Sequence, residues 1–327
     1  MGYPNAQISV SLNTRFLFDG TVMPRNLISA IAVLLFGVFA FDLMGILVRM
    51  LGGTYPIFQI AIFRNLFGVI PPILLLWRFN QFATLRALNR PRFHFILLVR
   101  SVCVLTAQYC FYTALTKIEF ATACALGFTG PVFITALSIP LLGHRVGLWR
   151  WCAIGIGFVG MLTVMKPFDA SFSAYLIYPI IAALGYAISS LLVRLYPEDI
   201  PSASIQLTQQ ICTCLLAVVC LYVFQTPMPL ESGDDAGLFL LMGVFGGTGV
   251  MCLVTAYRMA DPSSLSPFEY FGIPISFTLG WLFFSEAPVD DLFPGIIFII
   301  LAGLIIIYRE RRTKQPGMVA GKLKLPK

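Results

Sequence analysis

The sequence predicts an all-α membrane protein in which ten transmembrane helices form two inverted five-helix repeats, and three observations lead there. The first is composition. Hydrophobic residues make up 58% of the chain and charged residues 11%, with a mean hydropathy of +0.86, so the polar surface is too small to cover a globule in water. The second is a series of ten apolar runs, each near the roughly 20 residues that a helix needs to cross about 30 Å of hydrocarbon. Third, the stretch at 112–145, YTALTKIEFATACALGFTGPVFITALSIPLLGHR, is echoed 142 residues later: Ala114 falls on Ala256, Gly130 on Gly272 and Gly143-His144 on Ser285-Glu286.

Residues 1–26 are polar and lack helical patterning, with Arg15 and Arg25, and are expected to be a cytosolic extension. The first apolar run starts near Leu27 and is too long for a signal-peptide core, so no cleaved signal is expected. The first repeat, 27–166, holds runs near 27–48, 56–77, 95–116, 120–142 and 149–166. The second, 174–308, holds runs near 174–194, 203–224, 237–258, 263–284 and 291–308. Glycine, proline and charge punctuate them, as at Gly52-Gly53, Asn89-Arg90-Pro91, Lys166-Pro167, Tyr196-Pro197 and Asp261-Pro262. Residues 309–327 form a basic tail, expected in the cytosol against anionic headgroups.

Lysine and arginine set the orientation. With the N-terminus inside, seventeen of them fall in cytoplasmic segments, whereas the opposite side has Arg49, Lys117 and Lys166. The loop at 225–236 adds Glu231, Asp234 and Asp235 to that side and no positive charge. Both termini are therefore expected in the cytoplasm, and the excess of seven positive charges reports topology rather than nucleic-acid binding. Because five helices per repeat is an odd number, the second repeat enters the membrane upside down. Leu47-Val48-Arg49 then matches Leu192-Val193-Arg194 on the other face. Rocking one such repeat against the other gives alternating access, although a repeat can also be purely structural.

The eight cysteines lie in apolar runs with no CxxC and no histidine at ligand spacing, so neither a disulfide framework nor a metal site is expected, and no cofactor. Gly243, Gly246, Gly247 and Gly249 resemble a phosphate loop only superficially, since no Gly-Lys-Ser/Thr follows. Close helix packing explains them better, as it does Gly155, Gly157 and Gly160.

Arg100-Ser101 opening the third run, Phe111-Tyr112-Thr113-Ala114-Leu115 closing it, Ala121 to Pro131, Leu142-Gly143, and the segment from Arg150 to Gly160 ending in Lys166-Pro167 make a recurrent pattern. On these residues, over about 280 positions from Leu27 to Tyr308, the chain resembles the EamA-type transporters of the drug/metabolite transporter superfamily. That resemblance implies ten helices, a central cavity between the repeats and the movement of small metabolites. The family pattern has Gly-Glu after the fourth helix, where this chain has Gly143-His144; Glu286 keeps the acid in the second repeat.

Ionisable groups inside lipid are costly and mark functional candidates when they face protein or water. Asp42 sits near the middle of the first run, with Arg49 seven residues on along the same stripe. Arg64 and Arg100 are its other candidate partners; an Asp at that depth either pairs with Arg or binds a proton. On the ninth run the stripe Ser266, Glu269, Gly272, Ser276, Gly280 either lines an aqueous cavity or lets a helix approach closely. Gln206, Gln209, Gln210 and Thr213 share one side of the seventh helix, and Gln108 and Tyr109 lie in the third. Amides, hydroxyls and rings suit an amphipathic organic solute. The aromatic candidates are Phe128, Tyr186 and Tyr270. Substrate binding is therefore assigned to Asp42, Arg64, Arg100, Gln108, Tyr109, Phe128, Tyr186, Gln209, Glu269 and Tyr270.

The expected function is a secondary active transporter that moves an amino acid, vitamin or nucleoside-like cofactor across the inner membrane, with a proton as coupling ion through Asp42 or Glu269. A monomer or weak homodimer is expected in the bilayer. A non-transporting sensor or channel is the alternative, because polar stripes also line pores. A membrane enzyme fits poorly: His94 and His144 sit at predicted cytoplasmic edges without a catalytic set around them.

Overall fold

The computed structural model describes residues 27–130, 132–134, 136–137, 148–165, 173–197, 199–259, 268–269, 271–286 and 289–313. Among them the regular secondary structure is helical, without a strand. Helix α1, Leu27–Leu51, is uncharged except for Asp42 and Arg49 and stops at Gly52, where a Cβ would lie 2.3 Å from Thr116 Cγ2. The run expected as one helix at 56–77 is interrupted at Val69 into α2, Ile57–Gly68, and α3, Ile70–Arg78. Pro71 and Pro72 cause this, because neither has an amide to donate to the carbonyls of Phe67 and Gly68 one turn earlier.

Helix α4, Pro91–Lys117, opens on a proline, whose missing N–H costs nothing in a first turn. It is followed by α5, Phe120–Gly127, and α6, Leu148–Met165. In the second half come α7, Tyr178–Leu192; α8, Ser202–Phe224; and α9, Gly233–Met259, whose first-turn Asp234 and Asp235 complement the helix dipole. Helix α10, Gly272–Phe284, ends where Ser285 turns left-handed at φ 56°. A single turn, α11 at Val289–Leu292, and α12, Gly295–Thr313, complete the described chain.

Among the described residues six apolar helical spans are long enough to cross a membrane: Ile28–Leu51, Ile57–Arg78 with α2 and α3 taken together, Pro91–Lys117, Ala174–Leu192 with the turn that precedes α7, Ser202–Phe224 and Gly233–Ala256. Predicted spans 120–142 and 263–284 run into residues outside those described. Polarity is distributed inside out. On α8, Gln206, Gln210 and Thr213 are buried, while Leu215, Val219 and Tyr222 are 60 to 71% exposed, which only a hydrocarbon solvent favours.

Packing between the halves follows a regular exchange. Helix α1 lies along α9, and α4 lies along α7; α2 packs on both α8 and α9, and α4 packs on α8. The pairs α6 with α12, α2 with α8 and α5 with α10 each join equivalent positions of the two halves. Glycines allow the closest crossings. A Cβ on Gly243 would fall 2.4 Å from Phe67 Cβ, and one on Gly247 would fall 2.5 Å from the Gly68 carbonyl. The glycine cluster of α9 is thus a helix contact, and Gly157 and Gly160 of α6 serve the same end; Gly155 has open space around it.

The loops on the Arg49 side also tie the halves together. The Tyr55 hydroxyl donates to Asp235 at 2.7 Å and accepts from the Glu231 amide at 2.9 Å. Gln59 donates to the Met228 carbonyl at 2.7 Å and accepts from its amide at 2.9 Å.

Candidate functional site

Buried polar residues from each of α1, α2, α4, α7 and α8 converge on one cavity of about 420 Å³ between the two halves. Seven of the residues expected from the sequence line it: Asp42, Arg64, Arg100, Gln108, Phe128, Tyr186 and Gln209. Gln206, Gln210 and Thr213 line it as well, as do Phe41, Phe111 and Phe120.

Two expected residues are turned elsewhere. Tyr109 follows Gln108 by about 100° around α4, so the turn that brings Gln108 to the cavity takes Tyr109 away. Its ring stacks instead on Phe58, with centroids 4.8 Å apart. Glu269 is half-buried and does not line the cavity. The face it shares with Gly272 and Ser276 is a packing face, since a Cβ on Gly272 would lie 2.4 Å from Phe128 Cζ and the Ser276 hydroxyl donates to Ile273 O. Tyr270 lies outside the described residues, as do Gly143 and His144.

The expected pairing of Asp42 with an arginine is not formed. Asp42 is 7% exposed, and its Oδ2 has no hydrogen-bond partner. Arg64 is taken by its own network, donating to Asn65 Oδ1 at 3.1 Å and to the Gly246 carbonyl at 3.4 Å. Asn65 in turn donates to Gln108 Oε1 at 2.9 Å, and Gln108 donates back at 3.3 Å. Arg100 donates through Nε to the Ser189 carbonyl at 3.1 Å and lies 5.7 Å from the Tyr196 ring centroid, while its Nη1 is buried without a partner. The cavity therefore presents two guanidinium groups and one separate carboxyl. Asn65 and Ser189 escaped the sequence reading; an Asn beside Arg64 in an apolar run was the available signal for the first.

Arg49, expected near Asp42, reaches the other half of the chain. Its Nη1 donates to Glu286 Oε2 at 2.7 Å, and its Nη2 pairs with Oε1 of the same carboxylate. Glu286 Oε2 also accepts the Phe120 amide at 3.0 Å, which caps the N-terminus of α5 with a carboxylate from beyond α10. The Arg49 guanidinium carbon stands 4.4 Å from the Phe284 ring centroid. Phe120 lines the cavity and so does Gly45, one turn before Arg49, so this ion pair stands directly beyond one end of the cavity.

The sequence profile of the EamA-like transporter family matches this chain twice, over residues 28–166 and 173–309. An S-adenosylmethionine uptake transporter of Rickettsia felis is 26% identical over 265 residues, covering 81% of this chain and 87% of that protein. A riboflavin transporter of Rhizobium johnstonii is 29% identical over 231 residues, covering 67% and 72%. The pseudopaline exporter CntI of Pseudomonas aeruginosa is 27% identical over 279 residues, covering 85% and 94%. A solved crystal structure superposes with a TM-score of 0.62 at 16% identity, over 88% of this chain and 99% of that one, which supports a shared fold.

Proposed function

The chain belongs to the EamA-like transporter family, and from that premise we propose that it is a secondary carrier moving a small organic metabolite across the inner membrane by alternating access. The observation that carries this reading is the cavity itself. Both halves wall it, and an ion pair between residues 237 positions apart stands at one end. In this reading the ten helices form two inverted repeats, 27–166 and 174–308, and the exchange-related helix pairs support that symmetry. Both termini are cytoplasmic, which puts Arg49 and Glu286 at the external face, so the cavity is closed outward.

The cargo is an amino acid, a vitamin or a nucleoside-like cofactor, in keeping with relatives named for S-adenosylmethionine, riboflavin and pseudopaline. Asp42, buried without a hydrogen-bond partner on Oδ2, is the group proposed to exchange a coupling proton. A permanently open pore is disfavoured by the strap at the cavity's end, which it would not need. Purified protein reconstituted in liposomes should show saturable uptake and counterflow of at least one metabolite from these classes. Movement of none of a broad panel, with or without a pH gradient, would overturn the carrier reading.

A further inference from the structure

Gln206, Gln209, Gln210 and Thr213 fall on one stripe of α8, and all four line the cavity. They differ in how their polar atoms are used. Gln209 donates to Ser189 Oγ at 3.3 Å. Gln206 and Gln210 are 8% and 4% exposed, and neither the oxygen nor the nitrogen of either amide has a partner within the protein. Thr213 Oγ1, fully buried, is unpartnered too. Buried amides are ordinarily satisfied, so two adjacent ones left open at both atoms point to a ligand that completes them.

A carboxamide offers a donor and an acceptor side by side in one plane. Its full complement is a group with a donor and an acceptor equally close and coplanar: the edge of an amide held cis in a ring, an imide or an amidine. Proteins use the same bidentate match when Asn or Gln reads adenine. An aliphatic amino acid has no such edge; its ammonium and carboxylate would be matched by charge alone. The two amides are one turn apart, about 6 Å along the helix, which is the span of two edges on a fused ring system. The Gln210 amide packs against the bare Cα of Gly68, where an added Cβ would lie 3.2 Å from Oε1. Phe111, Phe128 and Tyr186 supply flat apolar walls for a ring. Arg100, joined to the stripe through Ser189, brings an unpartnered Nη1 suited to a carbonyl or anionic oxygen.

We infer that Gln206 and Gln210 are the reading edge of the substrate site, and that the solute is a planar nitrogen heterocycle with a ring amide, imide or amidine edge. This rests on the carrier reading for its cavity but makes its own prediction. The full chain in lipid nanodiscs is titrated with riboflavin, adenosine and leucine, and with N3-methylriboflavin and N6,N6-dimethyladenosine, whose edges are blocked. Counterflow in liposomes is measured with the same five solutes.

The expected result is binding of at least one unblocked heterocycle, at least tenfold weakening by methylation, and a similar loss in Gln206→Leu and Gln210→Leu. The methylated ligands test the edge on the unaltered protein, so a variant that fails to fold does not decide the matter. Binding that ignores both methylation and the two substitutions means the amides hold only water, and overturns the inference. Failure of both riboflavin and adenosine to bind the folded protein overturns it as well. If leucine alone is carried, the inference falls and the carrier reading stands. Heterocycle binding of the expected pattern without counterflow of any solute upholds the site and removes the carrier reading.

Discussion

Arg49 and Glu286 lie 237 residues apart and meet through two parallel contacts, Nη1 to Oε2 at 2.7 Å and Nη2 to Oε1. Both side chains are about four-fifths buried, at 18% and 20% exposure, so the pair is less screened than a surface salt bridge. It also joins three elements at once, because Glu286 accepts the Phe120 amide and Arg49 stands over Phe284. A carrier must break such a strap when it opens on that side.

Glu286→Gln should therefore favour the open state. Loss of the charge-assisted contacts is worth about 1–2 kcal/mol, which shifts the open-to-closed ratio about 5- to 30-fold. Cys124, which lines the cavity as a free thiol, reports the change. A membrane-impermeant maleimide should label it several-fold faster in the variant, measured against a Cys124→Ser control. An unchanged rate would mean that the pair is not the seal.

Asp42→Asn should separate coupling from exchange. The carboxyl is 7% exposed with Oδ2 unpartnered, so its charged form is costly where it stands and the amide is tolerated. Accumulation driven by a pH gradient should disappear while counterflow at equal pH on both sides persists, with no loss of thermal stability. Undiminished accumulation in the variant would assign the proton to another group.

Much of this site was legible because a hydrocarbon solvent leaves a polar residue few reasons to be present. Asp42, Arg64, Arg100, Gln108 and the glutamines of α8 sit amid apolar residues, and all of them reach the cavity. Helical period places them on stripes, but it cannot say which of two neighbouring residues a helix turns inward, and α4 turns Gln108 to the cavity and Tyr109 onto Phe58. Period also set Arg49 beside Asp42, where the true partner is contributed by the far half of the chain. No local pattern encodes a contact over that separation. The break at Val69 follows from Pro71-Pro72, a backbone effect to which apolar length, the signal of a membrane span, is blind.

Two glycine substitutions should part company. In Gly247→Ala the new methyl would stand 2.5 Å from the Gly68 carbonyl, a backbone atom that cannot swing aside, so α9 must move from α2. Overpacking of this kind costs about 1–3 kcal/mol and should lower the thermal transition of the purified protein by several degrees. Gly155→Ala meets nothing within 4 Å and should leave the transition unchanged or slightly raised. Equal effects from the two would contradict the helix packing described for α9.

The Asn65 and Gln108 amides should prove strongly coupled. Each donates to the other, at 2.9 and 3.3 Å, and both are 1% exposed. Replacing one by leucine leaves the other buried and partly unpaired, and removes an acceptor of Arg64 in the case of Asn65. Each single change should therefore destabilise by about 1–3 kcal/mol. In the double variant no amide is stranded, so its cost should fall short of the sum of the singles by about 1–2 kcal/mol. A thermal or chemical unfolding cycle on the four proteins measures that shortfall directly. Strict additivity would mean that the two amides are satisfied independently, by water in the cavity, and that Arg64 is not held through them.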